Sequence, residues 1–245
     1  MLRSVTIPYG HFLFKHRNWL FTLVVVVLLF GFEPSIGPIG PVSGRIIDLF
    51  GIAVVLAGAA IRIAVVGLAY IKRGGINKKI AADTLVTEGL FDHCRNPLYV
   101  GNLLILTGYF IVHGNPVSML LAALFFGYSY YAITMAEEDF LRRKFGAAYE
   151  AYCARVGRWS IRLGGLGQTF GSMTFNWRRV VAKEYTTIYT WNITLLAILA
   201  YEYWLQDRLT DVAPILVVYF IALQIGAIVV KYMKRAHVLE PAPAA

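Results

Sequence analysis

Apolar residues in this chain fall into long runs with short polar breaks, and the run lengths decide the class. A bilayer core of roughly 30 Å takes about 20 apolar residues as helix, slightly fewer where flanking residues snorkel. The runs predict spans over Asn18 to Phe32, Ile47 to Ile71, Leu98 to Val112, Val117 to Ala136, Thr186 to Leu205 and Val212 to Tyr232. His113-Gly114-Asn115-Pro116 is a tight break that makes the third and fourth spans an antiparallel hairpin. The run Leu23-Val24-Val25-Val26-Val27 is reminiscent of a signal peptide, but no small-residue cleavage site follows it, so it is read as a membrane helix. The expected fold is an all-α integral membrane protein with about six transmembrane helices.

Composition supports that class. The 245 residues are 58% hydrophobic and 15% charged, too little charge to cover the surface of a soluble domain of this length. Net charge is +9, and its placement carries more information than its size. Lys and Arg crowd the N-terminus, the connection after the second span (Lys72, Arg73, Lys78, Lys79, Arg95), the connection after the fourth, and the C-terminus. The other three connections are short and nearly neutral. The positive-inside rule puts all four basic segments, and so both termini, on the cytoplasmic side. The basic excess is a topology signal and a contact for membrane lipids, and no motif supports nucleic-acid binding. Cys94 and Cys153, both on the expected cytoplasmic side, have neither a disulfide-permissive setting nor the spacing of a metal site, and the five histidines are scattered.

Polar chemistry concentrates in the two long cytoplasmic connections. In Arg95-Asn96-Pro97-Leu98-Tyr99-Val100-Gly101-Asn102, Pro97 suits a first helical turn and Asn96 falls at a cap position. That pattern is either a well-capped helix or a helix start whose free N–H groups receive an anion. The fourth span ends in Glu137-Glu138-Asp139, with Glu138 and Asp139 each four residues before an arginine, Arg142 and Arg143. Those acids are either a solvated helix end or an inward-turned group holding a ligand ammonium, since an ionisable residue at membrane depth marks function by default. The hairpin brings Pro97 and Glu137 together, which points to one site. Arg62, inside the second span, must pair or snorkel, and a structural pair is the expected solution.

These segments resemble the isoprenylcysteine carboxyl methyltransferase and phospholipid methyltransferase family of small multispan enzymes. The family pattern Arg-His-Pro-x-Tyr-x-Gly is matched over Arg95 to Gly101 except at Asn96. Its Glu-Glu-x-x-Leu-x-x-x-Phe-Gly-x-x-Tyr-x-x-Tyr is matched throughout from Glu137 to Tyr152, and Arg155-Val156-Gly157-Arg158 follows its Arg-Val-Pro-Arg except at Gly157. Thr84 to Phe91 is similar to the family's Thr-Leu-Val-Thr-x-Gly-x-Tyr. The resemblance implies S-adenosylmethionine as cofactor, no metal, and a cytoplasmic pocket lined by Asp83, Thr84, Leu85, Val86, Phe91, Asn96, Pro97, Leu98, Tyr99 and Glu137. Glu137 would meet the cofactor's ammonium, and Glu138, Arg142 and Arg95 stand as the catalytic candidates. The acceptor it implies is lipid-like, a lipid amine or prenylcysteine-type group arriving from the bilayer.

Three positions depart from the family. Asn96 cannot titrate as the usual His does, Gly157 replaces Pro, and Ile133 stands where eukaryotic carboxyl methyltransferases carry an Arg linked to acceptor binding. The last departure argues against a prenylcysteine carboxylate. The chain divides into a methyltransferase core over 1–165 and an addition over 166–245. In that addition, Trp177 to Tyr185 leads into two spans, which wall the acceptor cleft with Glu184 and Tyr185, mediate a homodimer, or anchor on anionic lipid. The alternative enzyme is an NADPH-dependent sterol-type membrane reductase, echoed by Lys144-Phe145-Gly146 and Tyr152-Cys153. A transporter or scaffold would show polar or Gly/Pro-broken span centres, which are few here.

Overall fold

The computed structural model describes residues 2–34, 41–68 and 80–239. Among them are seven α-helices, α1 (Leu2–Phe30), α2 (Pro41–Leu68), α3 (Pro97–His113), α4 (Pro116–Arg155), α5 (Leu166–Ser172), α6 (Trp177–Leu205) and α7 (Leu209–Arg235), with a 3-10 helix over Gly89–Asp92. The all-helical expectation holds, and four of the about six expected spans are matched by helices that meet the length and apolarity of a crossing among the described residues. Four helices, α1, α2, α4 and α7, are long and apolar enough to cross a membrane. At 17 residues α3 is shorter than a full span. Although α6 has 29 residues, it carries Thr186, Thr187, Thr190, Asn192, Thr194 and Glu202 and is not among the four. The first helix also begins well before Asn18, with Gly10 already packed on α4. Lys72, Arg73, Lys78 and Lys79 lie outside the described residues.

Small residues set the closest approaches. A Cβ on Gly58 would stand 2.5 Å from the Gly101 carbonyl oxygen, and one on Gly108 would stand 2.6 Å from that of Gly51. These two pairs, seven residues apart on each helix, bring the antiparallel α2 and α3 backbone to backbone. In lipid, where apolar burial gives little drive, such packing is what holds helices together. Gly10 does the same for α1 against Ala132 and Ala136 of α4. Leu28, Leu29, Val55, Tyr109, Phe110, Phe126 and Ile198 then form a common core from α1, α2, α3, α4 and α6.

The α3–α4 hairpin forms as the break predicts. Gly114 is left-handed (φ 72°) and its N–H closes α3 on the Phe110 carbonyl, while Asn115 caps α4 by accepting from the Val117 and Ser118 N–H groups. His113 ties this end together: its Nε2 lies 2.9 Å from the Leu29 carbonyl oxygen and 3.0 Å from that of Phe32. At the opposite end α4 runs past the acidic triplet and kinks at Gly146, whose φ of 49° and ψ of −125° suit only glycine. The kink turns the last stretch of α4 back over the connection that precedes α3.

Candidate functional site

The site lies at the end of the bundle where α3 begins. Pro97 occupies the first turn of α3 as its fixed φ favours. Asn96 sits at the cap position, yet its side chain makes no capping bond; Asn96 Nδ2 instead donates to the Arg158 carbonyl at 3.1 Å. The cap reading of that side chain is corrected by the returning chain after α4, which competes for the amide. The same returning segment is stitched down repeatedly. Arg95 N–H donates to the Gly157 carbonyl (2.9 Å), Arg162 N–H to the His93 carbonyl (3.0 Å), and the Tyr152 hydroxyl to the Phe91 carbonyl (2.6 Å). His93 is fully buried, with Nδ1 donating to the Arg162 carbonyl at 2.7 Å and Nε2 2.8 Å from the Thr169 hydroxyl.

Glu138 locks this floor. Its carboxylate is buried and accepts two bonds from Arg158, at 2.7 and 2.8 Å, while Arg95 Nη1 stands 3.2 Å away. The carboxylate holds the Arg158 guanidinium even more firmly protonated than usual. The helical pair expected between Glu138 and Arg142 does not form, because Glu138 turns inward; Arg142 pairs with Glu150 on the exposed side, and Asp139 pairs with Arg143 as spaced. Cys94, fully buried beside this floor, has its thiol pKa raised by desolvation.

Above the floor is a cavity of about 340 Å³, within the usual size of small-molecule sites. Of the sequence candidates it is lined by Phe91, Arg95, Asn96, Leu98, Tyr99 and Glu137. Asp83, Thr84, Leu85, Val86 and Pro97 do not line it, nor does Glu138, which lies beneath, nor Arg142, which faces outward. Glu137 and Tyr99 meet directly, the Tyr99 hydroxyl donating to Glu137 Oε1 at 2.8 Å, so the hairpin does bring the two connections into one site.

Four further polar contributors were not legible as site residues in the sequence. Arg17 and Asn18 reach in from α1, Asn102 from α3 and Thr187 from α6. Arg62, expected to be paired, also lines the cavity. Its guanidinium makes a bidentate pair with Glu184 of α6 (2.9 and 2.8 Å) and donates to Asn102 Oδ1 at 2.6 Å. Glu184 is thus the partner that makes Arg62 tolerable at depth rather than a free group reaching into a cleft. Ile133 is fully buried against Leu13 and Phe14, so the guanidinium groups facing the cavity come from Arg17, Arg62 and Arg95 instead.

The lining suits a charged, partly aromatic small molecule. Phe91, Tyr99 and Tyr130 offer ring faces, Glu137 offers a carboxylate, and Arg95 Nε is a buried donor with no hydrogen-bond partner among the described residues. No cluster of metal-ligating residues occurs among the described residues. No curated protein and no solved structure matches the chain. A family model does match, described as phospholipid methyltransferase and covering residues 46–148. That stretch holds most of α2, all of α3, most of α4 and, among the cavity residues, Arg62, Phe91, Tyr99 and Glu137. The helices and the family match together make this an integral membrane protein whose central segment, residues 46–148, is similar to the phospholipid methyltransferase family.

Proposed function

We propose that the chain transfers a methyl group from S-adenosylmethionine to a lipid-like acceptor at the cytoplasmic face of the membrane. The observation that carries this is the juxtaposition of Glu137 and Tyr99 in a cavity beside the start of α3, within the matched segment. S-adenosylmethionine supplies an electrophilic methyl on a sulfonium, so the protein's work is positioning and exclusion of water. Glu137, oriented by the Tyr99 hydroxyl, is the group to hold the cofactor's ammonium. The Phe91 and Tyr99 rings flank the space for adenine and ribose, and Arg95 Nε offers a donor. Glu138 and Arg158, paired beneath the cavity, hold its floor and act as positioning residues, Arg95 combines that pairing with a donor facing the cavity, and Arg142 pairs outward with Glu150.

The basic excess of the connections at this end supports a cytoplasmic orientation by the positive-inside rule, which gives a charged water-soluble cofactor access from the cytoplasm and a lipid-like acceptor access from the bilayer. The acceptor is a lipid amine or prenylcysteine-type group. Calorimetric titration of the detergent-solubilised protein with S-adenosylhomocysteine and with NADPH tests the reading. Binding of the former, weakened by Glu137→Gln, supports it; binding of NADPH alone restores the reductase, which the family match does not favour.

A further inference from the structure

Three guanidinium groups line the cavity, and charge accounting separates them. Arg62 is neutralised by Glu184 and Arg95 stands against Glu138. Arg17 makes no ion pair among the described residues; its guanidinium sits over the Phe14 ring at 4.3 Å and donates to the Tyr99 hydroxyl at 3.2 Å. On the acidic side Glu138 is consumed by two arginines, which leaves Glu137 as the cavity's carboxylate, held by that same hydroxyl at 2.8 Å. One phenol oxygen therefore spaces a cation and an anion, both facing the same volume. A guanidinium in a membrane-embedded wall is costly without an anion, and its fork geometry matches a carboxylate or phosphate.

We propose that Arg17, Tyr99 and Glu137 form a clamp for a zwitterion, and that its occupant is the α-amino-acid end of S-adenosylmethionine. Glu137 takes the ammonium and Arg17 the carboxylate, with Tyr99 fixing their separation. This rests on the methyltransferase reading and adds to it a binding residue from α1, outside the segment that matches the family. A headgroup carrying an amine and a phosphate has the same charge pattern and is the competing source.

The test is a titration matrix on the full-length protein in detergent. The probes are S-adenosylhomocysteine, 5′-methylthioadenosine (the same nucleoside without the amino-acid end) and glycerophosphoethanolamine, each against wild type, Arg17→Gln and Arg17→Lys. The clamp predicts that Arg17→Gln weakens S-adenosylhomocysteine about ten- to a hundredfold, that Arg17→Lys recovers part of the loss, and that methylthioadenosine binding is unchanged. The unchanged arm also certifies that the variant is folded. Equal loss of both nucleosides, or no loss of either, overturns the clamp while leaving the methyltransferase reading intact. Loss confined to glycerophosphoethanolamine assigns Arg17 to the headgroup and overturns it as well. Wild type that binds neither nucleoside sinks the methyltransferase reading itself.

Discussion

Glu137 and Glu138 are neighbours with opposite fates, and the difference is one of partners. Glu138 turns under the chain and is satisfied by Arg158 and Arg95, with a side chain only 4% exposed; Glu137 faces the cavity with a tyrosine hydroxyl as its contact. Removing one member of a buried pair leaves the other charge uncompensated, a cost of about 3–5 kcal/mol. Glu138→Ala should therefore lower the thermal midpoint in detergent markedly. Arg142→Ala, which breaks an exposed pair with Glu150, should shift it by no more than about 0.5 kcal/mol equivalent. Equal effects of the two substitutions would contradict the buried floor. The cysteines offer a second check. Cys94 is inaccessible and burial favours its neutral thiol, whereas the thiolate is the reactive form. Maleimide should label Cys153 and spare Cys94 in the folded protein at neutral pH, as peptide mapping would show; fast labelling at Cys94 would mean that the floor opens.

Among the elements, the α2–α3 contact and the α4 kink depend on glycine for different reasons. Gly58 is needed for space, since its Cβ would press on the Gly101 carbonyl at 2.5 Å and on the Ile105 N at 2.9 Å. Gly58→Ala should cost about 1–3 kcal/mol, the usual penalty for overpacking, seen as a lower melting midpoint. Gly146 is needed for its backbone angles, with open space around it; Gly146→Ala should cost about 1–3 kcal/mol through strain alone. If Gly146→Ala melts like wild type, the kink is not intrinsic to that residue. The hairpin was legible because its determinants are local: Gly114 and Asn115 end one helix and start the next, and Pro97 marks the start of α3. The Tyr99–Glu137 meeting follows from that geometry. Arg17, Asn102 and Thr187 were not legible as site residues, because which face a helix turns to its neighbours depends on packing several helices at once. A signal did exist for part of it: the matched seven-residue spacing of Gly51 and Gly58 with Gly101 and Gly108 marks the faces of α2 and α3 that touch, and hence the turn of α2 carrying Arg62.

Over the whole molecule, the addition beyond residue 165 is tied into the core rather than appended to it. Glu184 of α6 holds Arg62, Asn176 N–H donates to the Gly67 carbonyl at 2.9 Å, and Ile198 sits in the common core. Motif chemistry alone, from which a boundary at 165 is drawn, does not carry the counter-charge that the buried Arg62 takes from Glu184. Glu184→Ala should destabilise the protein by about 3–5 kcal/mol, with wild-type-like melting as the contrary result. The central claim is chemical, however, and one assay reaches it most directly: purified protein incubated with methyl-labelled S-adenosylmethionine and a membrane lipid extract, followed by separation of the lipids. A methyltransferase of this construction places label on a lipid with wild type and loses most of it with Glu137→Gln; label absent from every lipid with wild type, or undiminished in the variant, would contradict the account.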